Sequence, residues 1–301
     1  MSTVLKNALD DLTAAFERAG IDDARADARL LVAFALNKQP VFVRMHSDSE
    51  IENDAAEKIE TFKRRRLNRE PVSKIIGTRG FWRLDFKVTQ DVLDPRPDSE
   101  TLIEEILKRK TDKTAALKIL DLGTGSGCLA LSLLSEYLNA SAIGADSSEK
   151  ALQIARENAE SNGLFARFKT VQADWNKSGW NDTFGTFDVV ISNPPYIGDS
   201  EPLAPEVALY DPKQAMFAGA DGLDAYRALF PVLGGLLAEN GLAVFEFGKG
   251  QHHAVKALAE QNGLAFDGFG TDLGGIVRCI ALKKQKPLEN GQTTQIGRAH
   301  V

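Results

Sequence analysis

The sequence predicts an α/β fold in which a doubly wound, mostly parallel sheet follows a small helical domain. From about residue 117 onward, short apolar runs alternate with segments of helical periodicity. Such alternation is typical of parallel strands that helices cover on both faces. Before about residue 70 the apolar positions recur only at helical spacing. The two patterns separate a helical N-terminal domain from a larger α/β domain.

The N-terminal domain is predicted to span residues 1–70. Two apolar stripes at helical spacing support it, namely Leu5, Leu9, Leu12 and Phe16, and then Ile51, Ala55, Ile59 and Phe62. Ser49 and Glu52 have the spacing of a capping box for the second of these helices. A segment of this length can bury only a small core by itself.

Residues 71–93 are predicted to form a β-hairpin that connects the two domains, because glycines punctuate a stretch of alternating residues. The next residues, Asp94-Pro95-Arg96-Pro97-Asp98, form a stiff turn. Asp98 or Ser99 is expected to cap a helix that runs to about Lys110. The α/β domain is assigned to residues 94–286, and the polar, aperiodic residues 287–301 are predicted to be a disordered tail.

Seven strands and four helices are predicted after the connector. The strands lie near residues 117–122, 141–146, 167–172, 187–192, 241–247, 265–269 and 276–282, and the helices near 127–138, 148–162, 222–239 and 252–262.

Composition narrows the function. The chain has 36 Lys and Arg against 42 Asp and Glu, a formal net charge of -6 at pH 7, which argues against a protein that coats nucleic acid or anionic membranes. The sequence contains no apolar run of about 18 residues, the length that a membrane-spanning helix needs. We therefore expect a cytoplasmic protein whose partner is a small molecule or another protein.

The most informative stretch is Asn193-Pro194-Pro195-Tyr196, which directly follows the apolar run 187–192. Each proline fixes its own φ angle and favours extended geometry in the residue before it. An amide, two backbone carbonyls and an aromatic ring are thus held in a stiff loop at a strand end. Such a loop can hold a planar NH2 group, which suggests an enzyme that modifies a nitrogen.

Other polar residues also follow predicted strands, where ligands bind in open parallel sheets. The first strand leads into a glycine-rich loop that opens a helix, a pattern suited to a nucleotide-like ligand: Gly123, Thr124, Gly125, Ser126 and Gly127. Asp146 follows the second strand, where a carboxylate can accept hydrogen bonds from ribose hydroxyls. Asp174 and Trp175 follow the third strand and offer a carboxylate and a flat ring beside a base.

Each of these features has a simpler explanation when taken alone. Glycine-rich loops also serve nicotinamide and flavin enzymes, Asp146 can cap the helix near Ser148, and Trp175 can be core packing. Asn193 can be a turn residue before two prolines. The combination is more specific than any member.

Three other constellations are weaker. Ser126 lacks the spacing of a nucleophile elbow, and no histidine occurs between His46 and His252. His252 and His253 point in different directions on a helix and make a poor metal site, so no metal is expected. The basic cluster Lys63–Arg66 with Arg69 falls in the last turns of a helix, where cations suit the helix dipole. Contact with RNA or an RNA-bound partner is the alternative role for this cluster.

With these residues identified, the chain resembles the class I, S-adenosylmethionine-dependent methyltransferases, and within them the HemK/PrmC family of release factor glutamine N5-methyltransferases. The resemblance runs to about residue 283. It rests on Glu70-Pro71-Val72, Ile76-Gly77, Gly80-Phe81-Trp82, the stretch 94–100, the loop 121–127, the NPPY stretch 193–196 and Asp221–Arg227. NPPY is shared with DNA adenine methyltransferases and other amino methyltransferases, whereas the stretch 95–100 and the helical N-terminal domain are narrower signals.

The resemblance implies a Rossmann-like methyltransferase fold and a role for each site residue. Residues Gly123 to Gly127 would line the methionine part of S-adenosylmethionine, Asp146 would hold its ribose, and Trp175 would lie beside its adenine. Asn193, Pro194, Pro195 and Tyr196 would receive the glutamine of the Gly-Gly-Gln motif of peptide chain release factors, with Asn193 also facing the cofactor. The helical domain would dock the release factor.

The catalytic residues on this interpretation are Asn193, Pro194 and Tyr196. The amide oxygen of Asn193 and the carbonyl of Pro194 would each accept one N–H of the acceptor amide, and Tyr196 would pack on its plane. The alternatives are N-methylation of a glutamine in a ribosomal protein or of a nucleobase exocyclic amine, although the net negative charge disfavours a nucleic-acid substrate. A cofactor-binding scaffold and a nicotinamide-dependent oxidoreductase leave the NPPY loop unexplained.

Overall fold

A seven-stranded sheet forms the centre of the larger part of the chain in the computed structural model, which describes residues 3–285. The strand order is β10-β11-β9-β8-β5-β6-β7. These strands are β5 (Lys118–Leu122), β6 (Ser141–Asp146), β7 (Phe168–Gln172), β8 (Phe187–Ser192), β9 (Leu237–Glu246), β10 (Leu264–Thr271) and β11 (Val277–Lys284). The predicted α/β fold is confirmed. The predicted tail at 287–301 lies outside the described residues.

The last strand departs from the parallel arrangement. Strands β5 to β9 pair in parallel, whereas β11 pairs antiparallel with both β9 and β10. A short connection between β10 and β11 explains this, because a tight turn can join only antiparallel neighbours. The sheet is therefore mostly parallel, as predicted, with one inserted antiparallel strand.

Helices cover both faces of the sheet. They are α6 (Glu100–Arg109), α7 (Cys128–Glu136), α8 (Glu149–Ser161), α10 (Asp224–Leu236) and α11 (His252–Gln261). A further short helix, α9 (Pro205–Tyr210), buries no residue and contributes to neither face of the core. Successive residues of a strand point to opposite faces. Val189 and Ile191 of β8 accordingly pack with α6 and α7, while Val190 between them packs with α10. Both faces are apolar, which is why the predicted strands read as continuous apolar runs.

The N-terminal part has a core of its own. It contains α1 (Leu5–Arg18), α2 (Ala24–Ala35), α3 (Pro40–Met45), α4 (Asn53–Leu67) and α5 (Val72–Ile76), with a two-stranded sheet of β1 (Thr3–Val4) and β2 (Glu50–Ile51). Both predicted apolar stripes face this core. The predicted capping box is wrong: Glu52 precedes α4 and no side chain caps the helix, because the residues before it pair with the N-terminal strand.

The predicted hairpin is present as β3 (Thr78–Phe81) and β4 (Leu84–Lys87). It is shorter than the predicted range 71–93, because residues Val72–Ile76 form α5 and pack on the N-terminal core. Asn158 of α8, which is 1% exposed, exchanges hydrogen bonds with the backbone of Lys87 at 2.6 and 3.1 Å. Its amide also donates to the carbonyl of Ser126 at 2.9 Å. One buried amide therefore fixes the hairpin against the glycine-rich loop.

Helix α9, which the sequence did not predict, joins the two parts of the chain. Its Glu206 pairs with Arg66 at 3.3 Å and Arg69 at 3.4 Å, and Arg66 also pairs with Asp27 at 2.8 Å. After α9, Asp211 pairs with the buried Lys74 at 3.1 Å. Four of the five residues of the basic cluster, all except Arg64, form ion pairs within the described part of the molecule, which disfavours the alternative role of the cluster in RNA contact.

The bounds of most predicted elements agree with the structure to within a few residues. Among the strands and helices of the α/β domain, the largest difference is four residues, at the start of β9, which was predicted near residue 241 and begins at Leu237; α10 correspondingly ends at Leu236 and not at residue 239. Within residues 3–285, no helix is both long and apolar enough to cross a bilayer.

We expect Gly144→Ala to destabilise the protein by about 1 to 3 kcal/mol, the usual cost of overpacking a core. A Cβ on Gly144 in β6 would lie 2.7 Å from the Phe168 ring and 2.8 Å from the Thr124 hydroxyl oxygen. Gly235→Ala is the matched control, because a Cβ there meets no atom within 4 Å and alanine favours the helix. Urea unfolding measures both, and equal stability of the two variants would contradict the expectation.

Candidate active site

The candidate site lies where the chain order of the strands reverses, between β5 and β8. Leu122 at the end of β5 is in register with both Ala145 of β6 and Ser192 of β8. The three loops that follow these strands therefore leave the sheet side by side. This is the position at which open α/β sheets bind ligands.

The glycine-rich loop turns sharply after β5. Gly123, Gly125 and Gly127 have φ angles of +74°, +53° and +83°, which favour residues without a Cβ. The Thr124 hydroxyl donates to Asp121 at 2.7 Å, and the side chain of Ser126 is buried. The side chains of the loop thus stabilise its shape, and its backbone faces the cavity.

Asp146, at the end of β6, bridges the loop and the next helix. Its two carboxylate oxygens accept hydrogen bonds from the backbone N–H of Gly125 and of Ser148, each at 2.9 Å. Ser148 itself caps α8. The helix cap that the sequence analysis considered for Asp146 is therefore supplied by Ser148. Burial raises the pKa of Asp146, while the hydrogen bonds from the backbone of Ser148 and Gly125 oppose that shift.

Trp175 packs directly against the loop. An added Cβ on Gly123 would lie 3.2 Å from the indole ring. The ring therefore forms one wall of a cavity that Gly123, Gly125, Asp146 and Asn193 also line. Seven of the strand-end residues predicted to bind a cofactor border this cavity or a neighbouring one that shares Gly123 and Gly125, namely Gly123, Thr124, Gly125, Ser126, Asp146, Trp175 and Asn193. Gly127 lines neither cavity. A Cβ on it would lie 3.2 Å from Leu131 and 3.3 Å from Ala155, so this glycine lets the start of α7 pack closely on α8.

Asn193 follows β8, and its amide group is held in one orientation. The Asn193 Nδ2 atom donates to the Ser99 Oγ atom at 3.0 Å. Since the NH2 end is engaged, the amide oxygen Oδ1 is the end that remains to accept a hydrogen bond from a ligand. The prediction that Asp98 or Ser99 caps α6 with its side chain is wrong: Ser99 occupies the N-cap position, but no side chain makes a capping hydrogen bond there.

Contacts to Tyr196 from three neighbouring segments fix the rest of the NPPY turn. Gln251 donates to the carbonyl oxygen of Tyr196 at 2.9 Å, and a Cβ on Gly222 would lie only 2.2 Å from that same oxygen. The Tyr196 hydroxyl donates to Glu246 Oε1 at 3.3 Å. These contacts give the Asp221–Arg227 stretch a physical role, because only glycine allows the turn to pass so closely.

A second cavity adjoins the first. It is lined by Arg96, Asp98, Tyr196, Val207 and Glu246, and by Asn193, which borders both cavities. Pro195 lies in the wall of the first cavity. The NPPY turn therefore lies between the two cavities, and the Asn193 amide borders both of them.

Two carboxyl groups near the site are fully enclosed. Burial raises the pKa of Asp121 to about 7, although hydrogen bonds from Thr124 and the backbone of Ala130 oppose it. Burial also raises the pKa of Glu246 to about 7, and nearby Asp98 adds to this effect while Ser99, Tyr196 and Arg278 oppose it.

Sequence reasoning missed Glu246 and the role of Ser99. The sequence did contain a signal for Glu246, because it is the one charged residue in the apolar run 242–247. Burying a carboxylate costs free energy, so a carboxylate in a predicted core strand is a candidate functional residue. No local signal could have paired Ser99 with Asn193, which is 94 residues away. Among the described residues there is no cluster of three or more His, Cys, Asp or Glu side chains with the geometry of a metal site.

Comparison with known proteins places this arrangement in a family. A family described as the PrmC N-terminal domain matches residues 7–77, and one described as a methyltransferase domain matches residues 113–222. The release factor glutamine methyltransferase of Rhodospirillum rubrum is 42% identical over 269 residues, which cover 89% of this chain and 81% of the relative. That of Cereibacter sphaeroides is 40% identical and covers 92% of this chain and 98% of the relative.

The chain belongs to the release factor glutamine methyltransferase family. Its fold is also that of more distant methyltransferases of known structure. A methyltransferase from Pyrococcus furiosus has a TM-score of 0.50 at 19% identity over 75% of this chain and 100% of that protein. The catalytic domain of hMettl16, solved with a 3'UTR hairpin, has a TM-score of 0.53 at 15% identity over 83% of this chain and 91% of that domain. These likenesses concern the fold alone.

For this methyltransferase we expect Asp121→Asn to change how stability depends on pH. Asp121 has a pKa raised from 3.8 to about 7 in the folded protein, so it contributes stability at low pH that is lost as the pH rises through that window. The stability of the variant relative to the parent should therefore increase between pH 4 and 7, by at least about 1 kcal/mol.

Urea unfolding at several pH values measures this difference. Asp112→Asn is the control, because hydrogen bonds from Thr114 lower the pKa of that exposed carboxyl. Its effect on stability should be constant between pH 5 and 7. The expectation would be contradicted if the difference in unfolding free energy between Asp121→Asn and the parent were the same at every pH.

Proposed function

We propose that this protein transfers a methyl group from S-adenosylmethionine to the side-chain amide nitrogen of the glutamine in the Gly-Gly-Gln motif of peptide chain release factors. The observation that carries the proposal is the position of Asn193, which borders both cavities with its NH2 end engaged and its oxygen free to accept. Family membership supports the acceptor class. An enzyme with this substrate acts in the cytoplasm.

The first cavity suits the cofactor. Loop residues Gly123 to Gly127 present backbone at the start of α7, and a Cβ at Gly123 would press on the Trp175 ring and fill the cradle. Each oxygen of Asp146 accepts one backbone N–H and keeps a further lone pair for a ribose hydroxyl. The flat Trp175 ring offers a surface for adenine stacking. We assign these residues to the nucleoside and methionine parts of S-adenosylmethionine, which supplies an electrophilic methyl carbon when bound.

The second cavity suits a planar amide. An amide nitrogen is a poor nucleophile, because its lone pair is delocalised into the carbonyl. If Asn193 Oδ1 and the Pro194 carbonyl each accept one N–H, the nitrogen is oriented with its remaining electron density toward the first cavity. Two acceptor dipoles also stabilise the positive charge that develops on nitrogen as the methyl group arrives. The nitrogen then releases one proton to water, so the product is a neutral N-methyl amide.

Tyr196 and the prolines supply orientation. Tyr196 lines the second cavity, and we assign its ring to packing on the plane of the acceptor amide. Burial raises the pKa of Tyr196 above its usual value, so the hydroxyl stays protonated and neutral. Holding both reactants in line can lower the barrier by several kcal/mol, up to about 7 to 11 in the best intramolecular cases.

We assign the N-terminal helical domain, residues 1–70, to docking of the release factor, and residues 71–93 to the connection with the catalytic domain at 94–286. Exposed apolar side chains on α2 and α3 support docking of a protein, namely Leu30, Phe34, Val41 and Met45. A nucleic-acid acceptor is disfavoured by the net charge of -6 and by the internal pairing of Arg66 and Arg69.

Parallel labelling tests the acceptor. We expect tritium from methyl-labelled S-adenosylmethionine to enter purified release factor and not ribosomal protein or DNA. A release factor with the motif glutamine replaced by alanine is the matched control and should take up no label. Transfer to ribosomal protein or DNA in preference to release factor would overturn the assignment.

Two variants separate catalysis from cofactor binding. Asn193→Ala should lower turnover by about 100-fold or more, as expected when a positioned catalytic group is lost, and should change cofactor affinity much less. Asp146→Ala should chiefly weaken the binding of S-adenosylhomocysteine, which calorimetry measures, and should lower turnover at saturating cofactor much less. Parental turnover in the Asn193→Ala variant would remove this residue from the mechanism.

A further inference from the structure

A buried carboxylate close to the glycine-rich loop lacks a partner for its charge. Asp94, the first residue of the stiff turn 94–98, is only 4% exposed. Its Oδ1 atom is enclosed and makes no hydrogen bond within the described residues. Arg96, two residues further on, pairs with Asp211 at 2.6 Å and not with Asp94. Because burial of an unpaired carboxylate costs free energy, a cation from outside the chain is the expected partner of Asp94.

The surroundings of Asp94 indicate which ligand brings that cation. Asp94 lines a small third cavity together with the glycine-rich loop and Asn193, which also border the first cavity. Asp146 and Trp175, which we assign to the nucleoside, line the first cavity and not the third. A cofactor that places its nucleoside beside Asp146 and Trp175 therefore has its opposite end available for the third cavity.

The turn holds the carboxylate in place before a ligand binds. Its two prolines fix their own φ angles. Arg96 donates to the fully buried side chain of Asp211 at 2.6 Å, and Ser99, just after the turn, accepts a hydrogen bond from Asn193 at 3.0 Å. Asp94 is thus anchored on its C-terminal side by two contacts to distant parts of the chain. A binding group that is fixed in advance loses little entropy when the ligand arrives.

The charges around the third cavity match an amino acid. Arg96 lines this cavity as well. Lys74 pairs with the same Asp211 carboxylate at 3.1 Å, so Lys74, Arg96 and Asp211 together keep one net positive charge. The cavity therefore presents one unpaired carboxylate and one cation. In S-adenosylmethionine the part beyond the sulfur is an amino acid, which carries an α-ammonium and an α-carboxylate.

We propose that Asp94 binds the α-ammonium group of the methionine part of S-adenosylmethionine. The proposal rests on the proposed use of this cofactor. Hydrogen bonds between an ammonium and a carboxylate are among the strong ones in proteins, and this one would give the Asp94 charge its missing partner. The α-carboxylate, which Asp94 repels, faces the positive charge of Arg96. Asp94 binds the cofactor and takes no part in the bond-breaking step.

Calorimetry with two ligands tests the site. S-adenosylhomocysteine carries the α-ammonium and no sulfonium, whereas 5′-methylthioadenosine keeps the nucleoside and the sulfur and lacks the whole amino-acid part. Asp94→Asn should weaken S-adenosylhomocysteine by about 10- to 100-fold, the usual effect of losing a hydrogen bond between charged groups. Its affinity for 5′-methylthioadenosine should stay within about twofold of the parent, which also shows that the variant is folded.

Asp85→Asn is the matched control. It removes the same charge with the same change of shape at an exposed position of β4. This variant should bind both ligands with parental affinity.

Thermal unfolding gives a second readout. Without ligand, Asp94→Asn should unfold at a midpoint no lower than that of the parent, because the substitution removes an unpaired buried charge. The same concentration of S-adenosylhomocysteine should raise the midpoint of the variant less than that of the parent. A lower midpoint without ligand, with equal losses of affinity for both ligands, would assign Asp94 a structural role and overturn the proposal.

Three other results would also overturn it. Parental affinity of Asp94→Asn for S-adenosylhomocysteine would mean that the carboxylate meets no ligand cation. Tighter binding would place it beside the α-carboxylate. A loss seen with S-adenosylmethionine and absent with S-adenosylhomocysteine would place it beside the sulfonium.

Failure of the proposed function gives a different result. In that case the parent itself binds neither S-adenosylmethionine nor S-adenosylhomocysteine, or transfers no methyl group to release factor. A parent that binds S-adenosylhomocysteine and methylates release factor, with Asp94→Asn binding equally well, refutes only the ammonium site.

Discussion

The hydrogen bond from the Asn193 amide to the Ser99 hydroxyl decides which atoms the NPPY turn presents to a ligand. An asparagine amide has a donor end and an acceptor end, and a reversed amide would repel the N–H groups of an acceptor glutamine. With Nδ2 bonded to Ser99 at 3.0 Å, the oxygen faces the cavities. The two prolines restrict the backbone, and Gln251 and Glu246 hold Tyr196 at the other end. The turn is therefore prepared for its ligand before binding, which is the condition under which dipoles contribute most to catalysis.

The walls around this turn depend on contacts between distant parts of the chain. Val207 of α9 lines the second cavity, while Glu206 beside it pairs with arginines of α4 and beyond. The buried pair of Lys74 and Asp211 lies at the end of the same helix, and Lys74 also donates to two backbone carbonyls. Removing one partner of such a buried pair typically costs about 3 to 5 kcal/mol. The helical N-terminal part thus supports the shape of the second cavity in addition to its proposed docking role.

The sequence predicted those features that depend on local pattern. Apolar runs such as 187–192 located the strands, and the residues that follow them located the glycine-rich loop, Asp146, Trp175 and Asn193. The sequence did not predict features that depend on contacts between distant parts of the chain. Ser99 looked like a helix cap, yet its hydroxyl serves a residue 94 positions away. Helix α9 is short and was missed because ion pairs to the N-terminal part, more than periodicity, hold it. The direction of β11 could have been inferred from the short turn before it.

A co-crystal structure with S-adenosylhomocysteine and a release factor domain that carries the Gly-Gly-Gln motif tests the role of Asn193 most directly. We expect the glutamine amide nitrogen in the second cavity, within about 3.2 Å of both Asn193 Oδ1 and the Pro194 carbonyl oxygen. The Asn193 Nδ2 atom should still donate to Ser99. A glutamine bound away from the NPPY turn, or an Asn193 amide whose NH2 end faces the glutamine nitrogen, would contradict the mechanism.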